Sequence, residues 1–336
     1  MGGSPVKSSD MERHYRSRDY YGASSYYSSG RSIDVTPTKR ITDASEVFKS
    51  TNMIDEFNPA KMKLPREACD SAQSPHSRGI ILQNDGTGSM GIYSLSLIQK
   101  QFPKLIEKIY STVPWNPHIM CACVGDVAAG DRAPFQATQF ETDLRILEQL
   151  EKIWLEGYGG GNGSESYILG WYFAGKYCKM DCFEKRGEKG FMFSFGDEGP
   201  TPKLTPYELK TVFGERKGLP QRTLSATDCL ELASEKFNCY HIILHGSGYR
   251  RYGWMVDDWK ELMGGHACDL ADYDCLPELV CTILKMYEGI SKTEAIKDIE
   301  DYSIRRVVAE ALCDHEENVI DEKSAVAIER NEFEIL

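Results

Sequence analysis

The chain has 336 residues, of which 41% are apolar and 27% charged, and a formal charge of −12. That composition can bury a core without covalent staples, and the acidic balance argues against a general nucleic-acid binder, which needs a basic footprint. No run of about 18 apolar residues occurs, which excludes a membrane-spanning helix from the sequence reading.

The charge is uneven: residues 291–336 carry 13 acidic and 6 basic side chains, whereas residues 1–50 carry 6 acidic and 8 basic. The first 30 residues are polar and lack the apolar segment of a secretory signal. Eleven cysteines are too sparse and irregular for a disulfide scaffold, and Cys121, Cys123 and Cys281 sit inside apolar runs. Free thiols in a reducing cytoplasm are therefore expected.

Residues 1–45, rich in Ser, Tyr and Arg with few aliphatics, read as a disordered tail. It is either a flexible linker or a Tyr/Arg segment for RNA or a partner. Residues 46–78 form a lead-in, 79–290 the main domain, and 291–336 an acidic helical extension. From residue 79 the pattern alternates between strand and helix. Gly79–Asn84 reads as a buried strand, and a helix is expected over Tyr93–Ser111 with Leu95, Ile98, Phe102, Leu105 and Ile109 on one face. Pro114 and Pro117 then interrupt it. His118–Val124 is a second buried strand and Phe135–Phe140 a short edge strand. Helices are expected over Thr142–Leu155 and, after the loop GYGGGNGS, over Glu165–Cys178. Phe191–Gly196 and Cys239–Leu244 read as the third and fourth buried strands. Pro277 fits the first turn of a helix running to Glu288, and Tyr302–Leu312 is helix-like. The alternation implies an α/β fold: a doubly wound, mostly parallel sheet with helices on both faces and one short antiparallel edge strand. Ligands of such sheets bind beyond the carboxyl ends of the strands.

Three loops on that rim are rich in oxygen. NDGTGSMG follows the first strand and places Asp85, Thr87 and Ser89 at alternate positions, with glycines that let the backbone turn sharply. A carboxylate and two hydroxyls on one tight loop are hard donors that suit Mg²⁺. The same loop also reads as a strand-to-helix turn in which Thr87 or Ser89 caps the helix. Asp197 follows the third strand. Glu165 begins the helix after Gly159, Gly160, Gly161 and Asn162, where a glutamate also serves as a partner for the helix dipole. Carboxylates facing one point repel each other unless a cation neutralises them.

These residues resemble the metal-ion-dependent adhesion site of the von Willebrand factor A family. Its D-x-S/T-x-S loop matches Asp85, Thr87 and Ser89, and its later aspartate matches Asp197. Many members use Thr in the second loop; Glu165 in GGGNGSES resembles the glutamate version. The resemblance covers about residues 65–290. It takes in Arg66–Ser71 and Gly125–Phe135 and is similar to bacterial and phage members. It implies a vWA/Rossmann-like fold, bound Mg²⁺ (or Mn²⁺ or Ca²⁺), and a protein partner donating Asp or Glu to the metal. Asn162 and Asp126 are further candidates behind the ligands. Intracellular members act as adaptors of AAA+ ATPases, including MoxR-type partners, and a phage or virion assembly role is the other expectation. The location implied is the cytoplasm, or the host cytoplasm or virion for a phage protein. An acidic tail carrying Asp314, Glu316, Glu317, Asp321 and Glu322 suggests self-assembly by donating a carboxylate to a neighbouring copy.

Competing readings are weaker. The glycine-rich loops lack the G-x-x-x-x-G-K-[ST] order of a phosphate-binding loop. Ser89 and His245 have no G-x-S-x-G elbow around them. An Mg²⁺-dependent phosphoester hydrolase or a nucleotide-binding protein remains the alternative, although no histidine lies in the three loops. Cys178 and Cys182, or His241 and His245, lack the partners of a zinc site. Trp171, Tyr172 and Phe173 read as core, Trp254 and Trp259 as a half-buried helix, and Asp131 with Arg132 as a local ion pair.

Overall fold

The computed structural model describes residues 52–157, 163–245 and 253–317. Six strands form one sheet: β1 (Ser77–Asp85), β2 (Asn116–Val124), β3 (Phe135–Ala137), β4 (Gly190–Gly196), β5 (Phe237–Leu244) and β6 (Ala267–Leu270). Their order across the sheet is β6-β5-β4-β1-β2-β3. All neighbours are parallel except β3, which runs antiparallel to β2. The connections leave β1 and β4 in opposite directions, so these adjacent strands mark the switch point of the sheet. Strand β6 escaped the sequence reading because Ala267-Cys268-Asp269-Leu270 is short and carries an aspartate.

Successive side chains point to opposite faces, and each face carries its own apolar layer. Ile80, Leu82, Ile119, Cys121, Phe193 and Ile242 lie in one; Ile81, Met120, Ala122, Met192 and Ile243 lie in the other. The first layer is covered by α1 (Ile92–Ser96), a π-helical turn Leu97–Gln101, α2 (Phe102–Thr112) and α3 (Arg145–Leu150). Pro103 explains the wide turn. It has no N–H and its ring clashes with the carbonyl four residues back, and Phe102 N–H instead reaches Leu97 O.

The second layer is covered by α4 (Ile168–Tyr177), α6 (Pro206–Phe213), α7 (Ala226–Ser234) and α8 (Gly253–Met263), with the short α5 (Asp181–Arg186) at its margin. Helix α9 (Leu276–Tyr287) returns to the first layer, and α10 (Lys292–Lys297) and α11 (Tyr302–Ala311) pack beside it.

Two expected helices are shorter than their apolar spacing suggests. After α3 the chain straightens, because the buried Gln136 amide donates to Trp154 O (2.7 Å) and accepts from Trp154 N–H (3.1 Å). Ile153, Trp154 and Leu155 are thereby buried on extended chain. Glu165 lies outside α4, in a two-residue strand Ser164–Glu165 paired with Gly199–Pro200. Trp171, Tyr172 and Phe173 are buried, and α8 buries Trp259 while leaving Trp254 half exposed.

The flanking segments pack onto the domain. Phe57 and Met62 are buried, and Arg66–Ala68 pairs in parallel with Cys178–Met180. The buried Arg66 guanidinium donates to Glu56 O and Ala137 O, tying the lead-in to β3. Toward the other end, Ala295, Val308, Ala311 and Leu312 join the first apolar layer. Tyr240 Oη lies 2.8 Å from His315 Nε2, and Asp314 pairs with Lys260. The tail at 1–45 and residues 318–336, with Asp321 and Glu322, fall outside the described residues. All eleven cysteines are free thiols, buried apart from Cys69 and Cys313. Among the described residues no helix is long and apolar enough to cross a membrane.

His118, near the start of β2, is buried with Nε2 at 2.8 Å from Ser74 Oγ. Burial pushes its imidazole down to about 4 from 6.5. Between those values the unfolded chain holds a proton that the folded chain refuses, so stability rises with pH through the window. His118→Gln removes this contribution. Relative to the unmodified chain, the variant gains about 1.6 kcal/mol on going from pH 6.5 to pH 5, because the linkage slope grows from about half of 1.4 kcal/mol per pH unit at pH 6.5 toward its full value below it. Urea unfolding at the two pH values checks it; a constant difference between the two proteins rejects it.

Candidate functional site

Strand β1 ends at Asp85, and the loop after it stays close to β2. Gly86 N–H donates to Val124 O at 2.8 Å, and a Cβ at this position would stand 2.5 Å from Cys123 Sγ. A larger residue would have to displace the Cys123 thiol. The chain then folds around the Asp85 carboxylate. Asp85 Oδ1 accepts from Thr87 N–H (2.8 Å) and from Thr87 Oγ1 (2.6 Å), the local pattern that lets a short acidic side chain organise its own turn. Thr87 Oγ1 lies 3.1 Å from Ser89 Oγ, and Ser89 Oγ donates to Asp197 Oδ1 at 2.9 Å. Asp85, Thr87, Ser89 and Asp197 thus form one row of close polar contacts joining the loops after β1 and β4, with Ser89 and Asp197 108 residues apart.

An ionised carboxylate only accepts hydrogen bonds. Thr87 gives its proton to Asp85 and Ser89 gives its proton to Asp197. When both carboxyls are ionised, neither hydroxyl has a proton for the other, and their lone pairs then face across 3.1 Å. Asp85, Thr87 and Asp197 are buried and Ser89 is half-buried, so the row opens to solvent at the serine.

Glu165 joins this rim by its backbone. Its carbonyl accepts from Thr201 N–H (3.1 Å) and Thr201 Oγ1 (2.7 Å), which fastens its loop to the segment after Asp197. Its side chain is buried, with Oε2 lacking a hydrogen-bond partner; Asp197 Oδ2 is likewise buried without one. Burial raises the Glu165 carboxyl well above its usual range, and the charges of Asp85, Asp126 and Asp131 push it further. Burial also raises Asp85, with Asp197 adding to it, and raises Asp197 against the hydrogen bond from Ser89. The direction is the same for all three: burial disfavours the charged form of each carboxyl, and among the described residues no side-chain cation offsets it.

The structure brings Asp85, Thr87, Ser89 and Asp197 into direct contact and places Glu165 within electrostatic reach. Asp126 is buried under its own loop, where Oδ1 accepts from Ala128 N–H (2.9 Å) and Ser166 Oγ (3.3 Å). Asn162 falls outside the described residues. The expected pairing of Asp131 with Arg132 gives way to another arrangement. Asp131 accepts from Asp126 N–H (2.8 Å), and Arg132 pairs with Glu156 at 3.2 Å. Among the described residues, no three carboxylate, imidazole or thiolate side chains cluster as a metal-holding group by themselves. Any cation here would depend on the two hydroxyls.

Sequence reading missed Tyr167, whose hydroxyl donates to Asp85 Oδ2. It follows Glu165 by two residues, and the only signal was its aromatic character beside a polar loop.

No family model matches the chain, and no curated protein does. Among solved structures, the pilus adhesin SpaC from Lactobacillus rhamnosus GG in its open conformation is similar at 8% identity and a TM-score of 0.43, over 65% of this chain and 31% of the adhesin. A second structure of that adhesin gives 10% identity and a TM-score of 0.41, over 64% and 31%. The chain therefore spans about a third of the adhesin's length.

The Ser89–Asp197 bond is the direct tie between the two loops, and a double-mutant cycle measures it. Ser89→Ala and Asp197→Ala, alone and together, are expected to show a coupling of about 1 kcal/mol in chelated buffer. Additive effects in urea unfolding would mean that the loops are held by other contacts.

Proposed function

We propose that this chain is a divalent-cation-dependent protein-interaction module of the von Willebrand factor A type, binding an acidic residue of a partner through Mg²⁺. The observation that carries this reading is the pair of hydroxyl oxygens 3.1 Å apart, each within hydrogen-bond distance of a different buried carboxyl, Asp85 and Asp197. Two hydroxyl oxygens beside buried carboxyl oxygens that lack partners are a hard donor set that suits a hard cation.

The donor set fits that ion. Thr87 and Ser89 would contribute hydroxyls, and Asp197 Oδ2 and Glu165 Oε2 are the buried carboxylate atoms with no other partner. Both Asp85 oxygens are already engaged, which suits it to holding the loop in shape. A bound cation would act as a Lewis acid toward an anionic oxygen from outside. This chain's own residues supply neutral hydroxyls on the solvent side, and that leaves attraction for a partner's Asp or Glu. A MoxR-type AAA+ ATPase and a second copy of this chain both fit that description. Asp314 and Glu317 are engaged within their own fold, with Lys260 and with Thr293 N–H. That favours a separate partner over donation by these two residues.

Calorimetric titration of the full chain with MgCl₂ and MnCl₂ tests the reading. The unmodified chain should bind one cation, and Asp85→Asn should weaken it by at least about tenfold, roughly 1.4 kcal/mol. Partner capture from a lysate of the source organism should be lost on adding chelator. Identical titrations for both proteins, or capture indifferent to chelator, would overturn the proposal.

A further inference from the structure

We propose that Tyr167 is a positioning residue that withholds one oxygen of Asp85 from the cation and so biases the site toward Mg²⁺ over Ca²⁺. This rests on the cation reading given above and adds to it a determinant of which ion is taken.

The Tyr167 hydroxyl is held from several directions. The residue is fully buried, and its hydroxyl donates to Asp85 Oδ2 while accepting from Glu198 N–H at 3.4 Å. Its ring meets His241 and Trp259 edge-on, with centroids at 4.9 and 5.5 Å. Its carbonyl accepts from the Gln83 amide at 3.1 Å. Room for the hydroxyl exists only because residue 196 is glycine: a Cβ there would stand 2.0 Å from Tyr167 Oη. The loop that the hydroxyl touches is fixed from behind, where Trp259 Nε1 donates to Glu198 O at 3.0 Å. Trp259 in turn stacks on His241 at 3.5 Å, and His241 Nδ1 lies 2.8 Å from Ser194 Oγ.

The consequence concerns the count of available oxygens. Asp85 Oδ1 already receives two hydrogen bonds from Thr87, so Oδ2 is the atom with capacity to spare, and Tyr167 takes one of its two acceptor positions in competition with a cation. What remains is two hydroxyls, Asp197 Oδ2 and the Glu165 carboxyl, whose Oε2 is buried without a partner. Mg²⁺ is content with six oxygens and keeps waters, whereas Ca²⁺ takes six to eight and readily accepts both oxygens of a carboxylate. A site stripped of one carboxylate oxygen favours the smaller ion. Tyr167→Phe keeps the ring and returns that oxygen.

The test is competitive binding of Mg²⁺ and Ca²⁺ to the full chain and to Tyr167→Phe. The affinity ratio of Mg²⁺ to Ca²⁺ is expected to fall by about tenfold in the variant, through a gain for Ca²⁺. A role confined to packing would lower both affinities together, leaving the ratio unchanged, and that result overturns the proposal. Gly196→Ala provides a second variant, since it displaces the hydroxyl without removing it; the ratio should shift the same way. If the unmodified chain binds neither ion, the cation reading itself fails along with this inference. If it binds both and neither variant alters the ratio, only the role of Tyr167 is lost.

Discussion

The register between β1 and β4 is the constraint on which the rest depends. Asn84 pairs with Phe195 in a parallel ladder, so the residues that follow, Asp85 on one strand and Gly196-Asp197 on the other, emerge side by side. Because the connections then diverge, no crossover fills the space above them. A sheet of this topology leaves its opening at that point whatever its chemistry. In this chain both positions carry aspartate, and the hydroxyls of Thr87 and Ser89 bridge the gap.

Holding carboxylates in such a place has a cost. Removing an ionised group from water is unfavourable unless hydrogen bonds or an opposite charge compensate. The chain supplies hydrogen bonds unevenly. Asp85 receives three, from Thr87 twice and Tyr167 once, whereas Asp197 receives one from Ser89. Among the described residues, arginines that balance carboxylates elsewhere are engaged away from this cluster: Arg186 with Asp70, Arg145 with Asp143, Arg132 with Glu156. The imbalance is concentrated on the rim, and the elements beneath it are fully packed.

Much of this was legible in the sequence because it follows from local pattern. Short continuous apolar runs such as His118–Val124, bounded by turn residues, read as strands buried on both faces, and their alternation with helical spacing points to a parallel sheet. The D-x-T-x-S spacing is likewise local: one residue between each donor puts them on one side of a tight turn. What could not be read depended on distant partners. The Thr142–Leu155 spacing suits a helix, yet Gln136, on a strand earlier in the chain, captures the backbone of Trp154. The place of Glu165 was set by Gly199–Pro200, and the pairing of Arg132 by Glu156. Helices α6 and α7 receive no bounds from the sequence reading, although each opens on a capping box, Thr205–Glu208 and Ser225–Asp228.

Tyr167 shows why a site cannot be reduced to its donor atoms. Its hydroxyl touches the first-strand loop, its acceptor side touches the loop after β4, and its ring leans on Trp259 of α8. Each contact alone is worth little more than an ordinary hydrogen bond or ring contact. Together they leave the hydroxyl a single place to sit, so Asp85 cannot turn without disturbing a core that includes Gln83, His241 and Ser194. Rigidity of this kind acts on the solvent side too. With Asp85 fixed, Thr87 is fixed by two hydrogen bonds, and Ser89 is left as the half-buried member of the row whose oxygen faces both neighbours and the opening. The stiffness of the interior thus reaches the surface through two hydroxyls, where an incoming anionic group would meet it.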